Sequence, residues 1–407
     1  MSARAALVAL LASLATTAVA QDVAVRGGTV YPVSAPPIAD GVVLVEDGRI
    51  TAVGPAARVR IPDGVRVLEA AVVTPGLIDA HSVVGLAGYL NQPHDQDQIE
   101  RSAAIQPELR AIDAYNPREP LVAWLRSFGI TTVHTGHAPG EVVSGQTMIA
   151  KTAGDTVEDA VIEPFAMLAA TLGEGAVVGR NAGGRKSPGN RSKAAAMLRA
   201  ELVAAREYLD KRGDGDDGAA GRNLGLEALA RVLRREVPLL VTAHRHQDIA
   251  TALRIAQEFD IRVVLDGGAE AYLVVDRIRA AGVPVIVHPS MTRAFGEREN
   301  LSFTTPAKLL DAGIPFAFQS GFESYVPKTR VVLFEAAITL QHGLTFEQAL
   351  AHMTLEAAKL LGIEARVGSL EPGKDGDLAL FDGDPFEYTT HAVGTVIEGV
   401  PVSDVVR

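Results

Sequence analysis

The sequence predicts an α/β protein, a (β/α)8 TIM barrel joined to a small β-sandwich built from both chain ends. Three observations predict it. Eight apolar, strand-like runs recur near residues 73–80, 129–134, 142–150, 165–170, 238–243, 261–266, 284–288 and 314–319. Amphipathic stretches such as IATALRIAQEF (249–259) and AYLVVDRIRAAG (271–282) separate most of them, which is the rhythm of a parallel barrel. Short alternating β-like segments lie before and after this block.

Taken in order, residues 1–20 form a separate object. Arg4 precedes the apolar run ALVALLASLA, and Ala18-Val19-Ala20 stands before Gln21. This pattern predicts a secretory signal cleaved after Ala20, and a periplasmic or secreted mature chain. The run is too short for a membrane span. The chain has no cysteine, so it uses no disulfide even in an oxidising compartment. Its net charge is −11, and an acidic surface argues against a nucleic-acid partner.

Residues 21–72 read as strands, with Asp47-Gly48 between VVLVE and RITAV as a hairpin signal. With 366–407 they form the expected composite β-sandwich, and 73–365 form the barrel. The connection at HTGHAPGEV, between the second and third barrel runs, is too short for a full helix. Two long insertions, near 84–118 and 173–225, follow the first and fourth runs, on the face where barrel active sites form. RGDGDDGAAGR (212–222) reads as a disordered surface segment. Thr345 and Gln348 have capping-box spacing before an apolar helix.

Four stretches together resemble the amidohydrolase superfamily, in particular its exported imidazolonepropionase-like and prolidase-like members. They are VVTPGLIDAH (72–81), LLVTAHRHQDI (239–249), LTFEQALAHMTLEAAKLLGI (344–363) and GSLEPGKDGDLALFDGDP (368–385). The resemblance covers nearly all of the mature chain. It implies hydrolysis of an amide or cyclic amide C–N bond in a small molecule or dipeptide. It also implies one or two divalent metals such as zinc, and an oligomer of this chain or with a related amidohydrolase. In such a site the metal acidifies a bound water and polarises the carbonyl.

Several positions depart from that pattern. His81 is kept on strand 1, but Val83 stands where a second histidine would point to the same side. PFAMLAATLG (164–173) offers no Lys or Glu, residues 263–272 hold no His, and Gly321 replaces an Asp on strand 8. A catalytic zinc usually takes three protein ligands, and two of the family's positions survive, His81 and His244.

Six of the ten histidines nevertheless fall at or just past strand ends: His81, His134, His137, His244, His246 and His288. Two readings stay open. One is a relocated metal centre, with His81, His134, His244 and His246 as ligands and Asp266 or Glu270 as proton carrier. Within that enzymatic reading a metal-free histidine and carboxylate site is the variant; the other is a barrel retained as an inactive binding or scaffolding subunit. Lys151, ending the third run, is a further mouth candidate. The basic run Arg180, Arg185, Lys186, Arg191 and Lys193 is placed to draw an anionic group toward the mouth.

Overall fold

The computed structural model describes residues 22–177, 187–213, 221–322 and 331–407. The expected leader, most of the glycine-rich segment 212–222, and Arg180, Arg185 and Lys186 lie outside the described residues.

The N-terminal strands are β1 (Val23–Val30), β2 (Ile38–Glu46), β3 (Arg49–Pro55) and β4 (Arg66–Pro75). The hairpin between β2 and β3 turns on Asp47 and Gly48, both at positive φ (49° and 77°). That is the backbone a two-residue type I′ turn needs, and Asp-Gly suits it. The barrel strands are β5 (Leu77–Ser82), β6 (Ile130–Gly136), β7 (Val143–Lys151), β9 (Leu168–Thr171), β10 (Leu239–Ala243), β11 (Val263–Gly267), β12 (Val285–Val287) and β13 (Phe316–Ala317). A short β8 (Val161–Glu163) pairs with β7 outside the ring. The C-terminal strands are β14 (Leu378–Phe381), β15 (Ala392–Ile397) and β16 (Val400–Ser403).

Strands from both chain ends share one sheet, in the order β16-β15-β14-β4-β1-β2-β3. What the sequence suggests as a sandwich is one hydrogen-bonded sheet. Its edge meets the C-terminal segment, where Gly373 N–H donates to Ile50 O at 2.8 Å and Ile50 N–H donates to Lys374 O at 2.9 Å. Val23, Val25, Val43, Val45, Leu378, Leu380 and Val396 pack together as its core. β4 runs into β5 through Gly76. A Cβ there would lie 2.1 Å from Thr131 Oγ1, so only glycine permits this approach.

The barrel order is β5-β6-β7-β9-β10-β11-β12-β13, and each of the eight apolar runs overlaps one of these strands. The all-parallel expectation needs one correction, because β7 is antiparallel to both β6 and β9. The 137–142 connection has no room for the crossover that parallel pairing requires, so the chain turns back directly. The ring draws shut where Ala80 N–H donates to Phe318 O and Gly321 N–H donates to His81 O, both at 3.1 Å.

The helices are α1 (Pro120–Arg126), α2 (Val157–Ala160), α3 (Arg191–Gly213), α4 (Leu224–Leu233), α5 (His246–Phe259), α6 (Val275–Ala281), α7 (Thr305–Asp311), α8 (Val332–Ala337), α9 (Phe346–His352) and α10 (Leu355–Leu361). α5 and α6 follow β10 and β11 as barrel crossovers. α3 and α4 come from the second insertion, and α3 buries Leu198, Leu202 and Ala205 completely. The capping box forms at α9: Gln348 N–H donates to Thr345 Oγ1, and Thr345 N–H donates to the Gln348 side chain at 2.9 Å. The first insertion lies along β7, with Gln106 N–H on Val143 O at 3.0 Å and Gln146 N–H on Leu109 O at 2.7 Å. No helix among the described residues is long and apolar enough to cross a membrane.

One apolar layer fills the barrel. Ile78, Ile149, Leu240, Val264 and Ile286 meet there, closed from below by Ala357, Ala358 and Ile363. The polar residues discussed next stand above it, at the C-terminal ends of the parallel strands.

Candidate active site at the barrel mouth

β5 carries His81 and β11 carries Asp266 to the same point. His81 Nδ1 lies 3.0 Å from Asp266 Oδ1, with both side chains buried. A carboxylate only accepts, so Nδ1 carries the proton. Asp266 also accepts from Thr242 Oγ1 at 2.6 Å and from Gln319 Nε2 at 2.8 Å. One carboxylate therefore ties β5, β10, β11 and the end of β13 together. Burial opposes the imidazolium of His81, but the Asp266 carboxylate outweighs it and raises the pKa. Burial likewise opposes the Asp266 carboxylate, yet the charge and hydrogen bond of His81, with those of Thr242 and Gln319, hold it at about 2. The two form an ion pair.

His134 stands beside them, its ring centroid 5.5 Å from that of His81. Its Nδ1–H donates to Ala80 O at 2.7 Å. Burial pushes its pKa down to about 3, so the ring is neutral. Nε2 then accepts the Thr147 hydroxyl at 2.7 Å, and neither ring nitrogen is left for a ligand.

His244 packs across Gly267. A Cβ at 267 would sit 2.5 Å from His244 Cε1 and 2.9 Å from Nδ1, and Gly267 has φ +82°. Burial lowers the His244 pKa to about 4. His288 is tied to the same strand end through its backbone N–H on Gly267 O at 2.7 Å. Its Nδ1–H donates to Pro289 O at 3.2 Å, and burial lowers its pKa. His81 Nε2, His244 Nδ1 and His288 Nε2 are buried without a protein partner.

Other expected mouth residues lie elsewhere. Glu270 is buried, its N–H on His244 O at 2.8 Å, with Oε2 taking His246 Nδ1–H at 2.7 Å and Oε1 taking Asn300 Nδ2 at 2.8 Å. His246 opens α5 and is exposed, apart from His81 and Asp266. His137 lies between β7 and the first insertion, against Gly145, with its pKa lowered by burial to about 4. Lys151 is at the opposite end of the barrel. Because β7 is reversed, its last residue pairs with Thr132, near the start of β6. There Lys151 Nζ donates to Asp375 at 2.9 Å and to Asp377, joining the barrel to the small sheet. Val83 packs with Ala87 and Ala138, against Ile99 and Phe322. Of the basic run, Arg191 pairs with Asp248 and Glu297, each at 3.1 Å.

Four residues that the sequence reading missed shape the mouth. Thr242 and Gln319 bond to Asp266, and Gly267 makes room for His244. Asp79, fully buried, accepts from Ser320 N–H at 2.9 Å, and burial raises its pKa to about 6. Asp79 and Thr242 stand two residues before His81 and His244, so the same-side rule that singles out Val83 could have found them. Gln319 carried no such signal.

Among the described residues no three His, Asp or Glu side chains come together to hold a metal ion. Asp266 takes Nδ1 of His81 and is itself filled by Thr242 and Gln319, and both nitrogens of His134 are engaged. The residues present do not fit the divalent centre that the family implies.

The sequence model of the amidohydrolase family matches residues 86–403, most of the chain. The chain belongs to the amidohydrolase family. This amidohydrolase is similar to the imidazolonepropionase of Rhizobium rhizogenes, with 24% identity over 87% of this chain and 89% of that protein. It is also similar to amidohydrolase tasK of Hapsidospora irregularis, with 25% identity over 89% of this chain, which spans 40% of that longer protein. The crystal structure of an amidohydrolase from Thermotoga maritima MSB8 superposes with a TM-score of 0.87 at 29% identity, covering 94% of this chain and 100% of that one. These relatives support a hydrolase acting on C–N bonds.

Proposed function

We propose that this chain, once exported, hydrolyses an amide or cyclic amide C–N bond in a small molecule or dipeptide at the barrel mouth. One observation carries the reading: His81 Nε2, His244 Nδ1 and His288 Nε2 are buried without protein partners, and His244 feels the charge of both Asp266 and His288. Asp266 is the positioning group. It orients His81 and favours its protonated ring, which leaves Nε2–H to donate to the substrate carbonyl oxygen. His288 gives its Nδ1 proton to Pro289 O, so Nε2 presents a lone pair that accepts a proton from the attacking water. The water oxygen bonds to the carbonyl carbon, the C–N bond breaks, and the departing nitrogen takes the proton from His81 Nε2. Asp266, held at about 2, is too weak a base for the proton-carrier role that the sequence suggests. Glu270, held by His246 and Asn300, is not placed for it.

The test is amine release by the purified mature chain from a panel of cyclic amides and dipeptides. His288→Ala and His81→Asn are each expected to lower turnover by about 100-fold or more, the scale of a lost acid or base. A folded chain that cleaves nothing in the panel overturns the reading.

A second reading is a binding subunit that holds an amide without cleaving it, as an oligomer of this chain or with an active relative. The apolar packing of Val83 and the lack of converging ligands among the described residues favour it. Ligand binding without product, in a chain that assembles with such a relative, would select it.

A further inference from the structure

Outside the mouth, a groove of about 600 Å³ runs between α3, α5 and the start of α6, over Leu172 and Gly173. Its volume is within the usual range of ligand pockets. Arg191, Arg199, Arg254, Arg277 and His246 line it, against a single carboxylate, Asp248. That carboxylate is taken, because Arg191 Nε donates to it at 3.1 Å. Arg199 is paired with Glu258 at 2.7 Å. Arg254 donates to Thr251 Oγ1 at 2.8 Å, within its own helix. Among the described residues neither Arg254 nor Arg277 has a carboxylate partner, and both are exposed. Two guanidinium groups without carboxylate partners therefore border this groove, and both also border the adjoining groove over Pro238 and Leu360, in a chain of net charge −11.

The third group is fixed in place. Glu270 is 2% exposed and receives both His246 N–H at 2.9 Å and His246 Nδ1–H at 2.7 Å. Asn300 Nδ2 holds its other oxygen. A buried, fully bonded carboxylate thus orients a half-exposed imidazole whose Nε2 it leaves unused. The sequence marked the basic run containing Arg191 as the anion-drawing element. In the structure the charge of Arg191 is spent on Asp248 and Glu297, and Arg254 and Arg277 hold the unspent charge.

We propose that this groove binds a small molecule through a single oxyanion group, a carboxylate or phosphate, held by Arg254 and Arg277 with His246 beside them. Guanidinium groups suit such ligands because their paired N–H donors match two oxygens of the anion. The groove adjoins the mouth along the chain, since His246 lies two residues beyond His244. The proposal does not rest on hydrolysis.

The test is isothermal titration of the full chain with inorganic phosphate, N-acetylglycine and the uncharged N-acetylglycinamide, in low salt. Phosphate or N-acetylglycine is expected to bind at one site and N-acetylglycinamide not to bind. The two anions tell a free phosphate ligand from a carboxylate-bearing one. Arg254→Gln and Arg277→Gln, both at exposed positions, should each weaken binding about tenfold, as loss of a charge-assisted hydrogen bond does. Arg234→Gln, an exposed arginine outside the groove, should leave it unchanged. Three results overturn the proposal: neither anion binds, the neutral amide binds equally well, or the groove variants bind like the parent. Because the readout is binding, failure of hydrolysis alone leaves it standing.

Discussion

Asp266→Asn isolates the charge at the centre of the mouth. The asparagine oxygen can still accept from His81 and Gln319, and its NH2 can donate to a Thr242 hydroxyl that has turned round. The hydrogen bonds survive and the ion pair does not. Asp266 sits at about 2 against an ordinary 3.8, which corresponds to about 2 kcal/mol at ~1.4 kcal/mol per tenfold change in proton affinity. The sign follows from linkage. Asp266 has a depressed pKa, so its contribution is present above 3.8 and is lost as pH falls toward about 2. His81 has a raised pKa, so its contribution is full below 6.5 and is lost as pH climbs through the folded value. The pair therefore stabilises most between these two ordinary values. Urea unfolding of parent and variant should differ by about 2 kcal/mol near pH 5 and by less once the pH has risen through the folded value of His81. Equal stability at the acidic point, or the same difference at both, would refute the ion-pair assignment.

Other outcomes follow from the same geometry. Gly267→Ala places a Cβ 2.5 Å from His244 Cε1 at φ +82°. It should cost more than about 1 kcal/mol, the scale of strain at such a backbone position, and shift the His244 NMR signals. Val83→His restores the missing histidine inside an apolar cluster. It should destabilise the chain by about 1–3 kcal/mol and confer no stoichiometric zinc binding by calorimetry. Lys151→Met leaves Asp375 and Asp377 short of their buried partner. It should cost about 3–5 kcal/mol in urea unfolding, yet leave ligand binding at the mouth unchanged, because it acts at the other end of the barrel.

Much of this architecture was legible in the sequence because it rests on local rules. The eight strands announce themselves as apolar runs, the Asp47-Gly48 turn as a two-residue hairpin, and Thr345 with Gln348 as a cap. The site was less legible because it rests on direction and distance. Lys151 looked like a mouth residue until β7 proved to run backwards, which moves its last residue to the other end. Glu270 and His246 look available, but they pair with each other. The sequence offers Asp266 as a proton carrier, whereas its meaning comes from His81, 185 residues away in the chain. No spacing rule reports that pairing.

The most direct test of the account is the hydrolysis rate of chelator-treated chain on the amide panel, measured beside its zinc content. A histidine-run mouth keeps its turnover without metal and loses about 100-fold or more in His288→Ala. Turnover that vanishes on chelation and returns only with added zinc would contradict it.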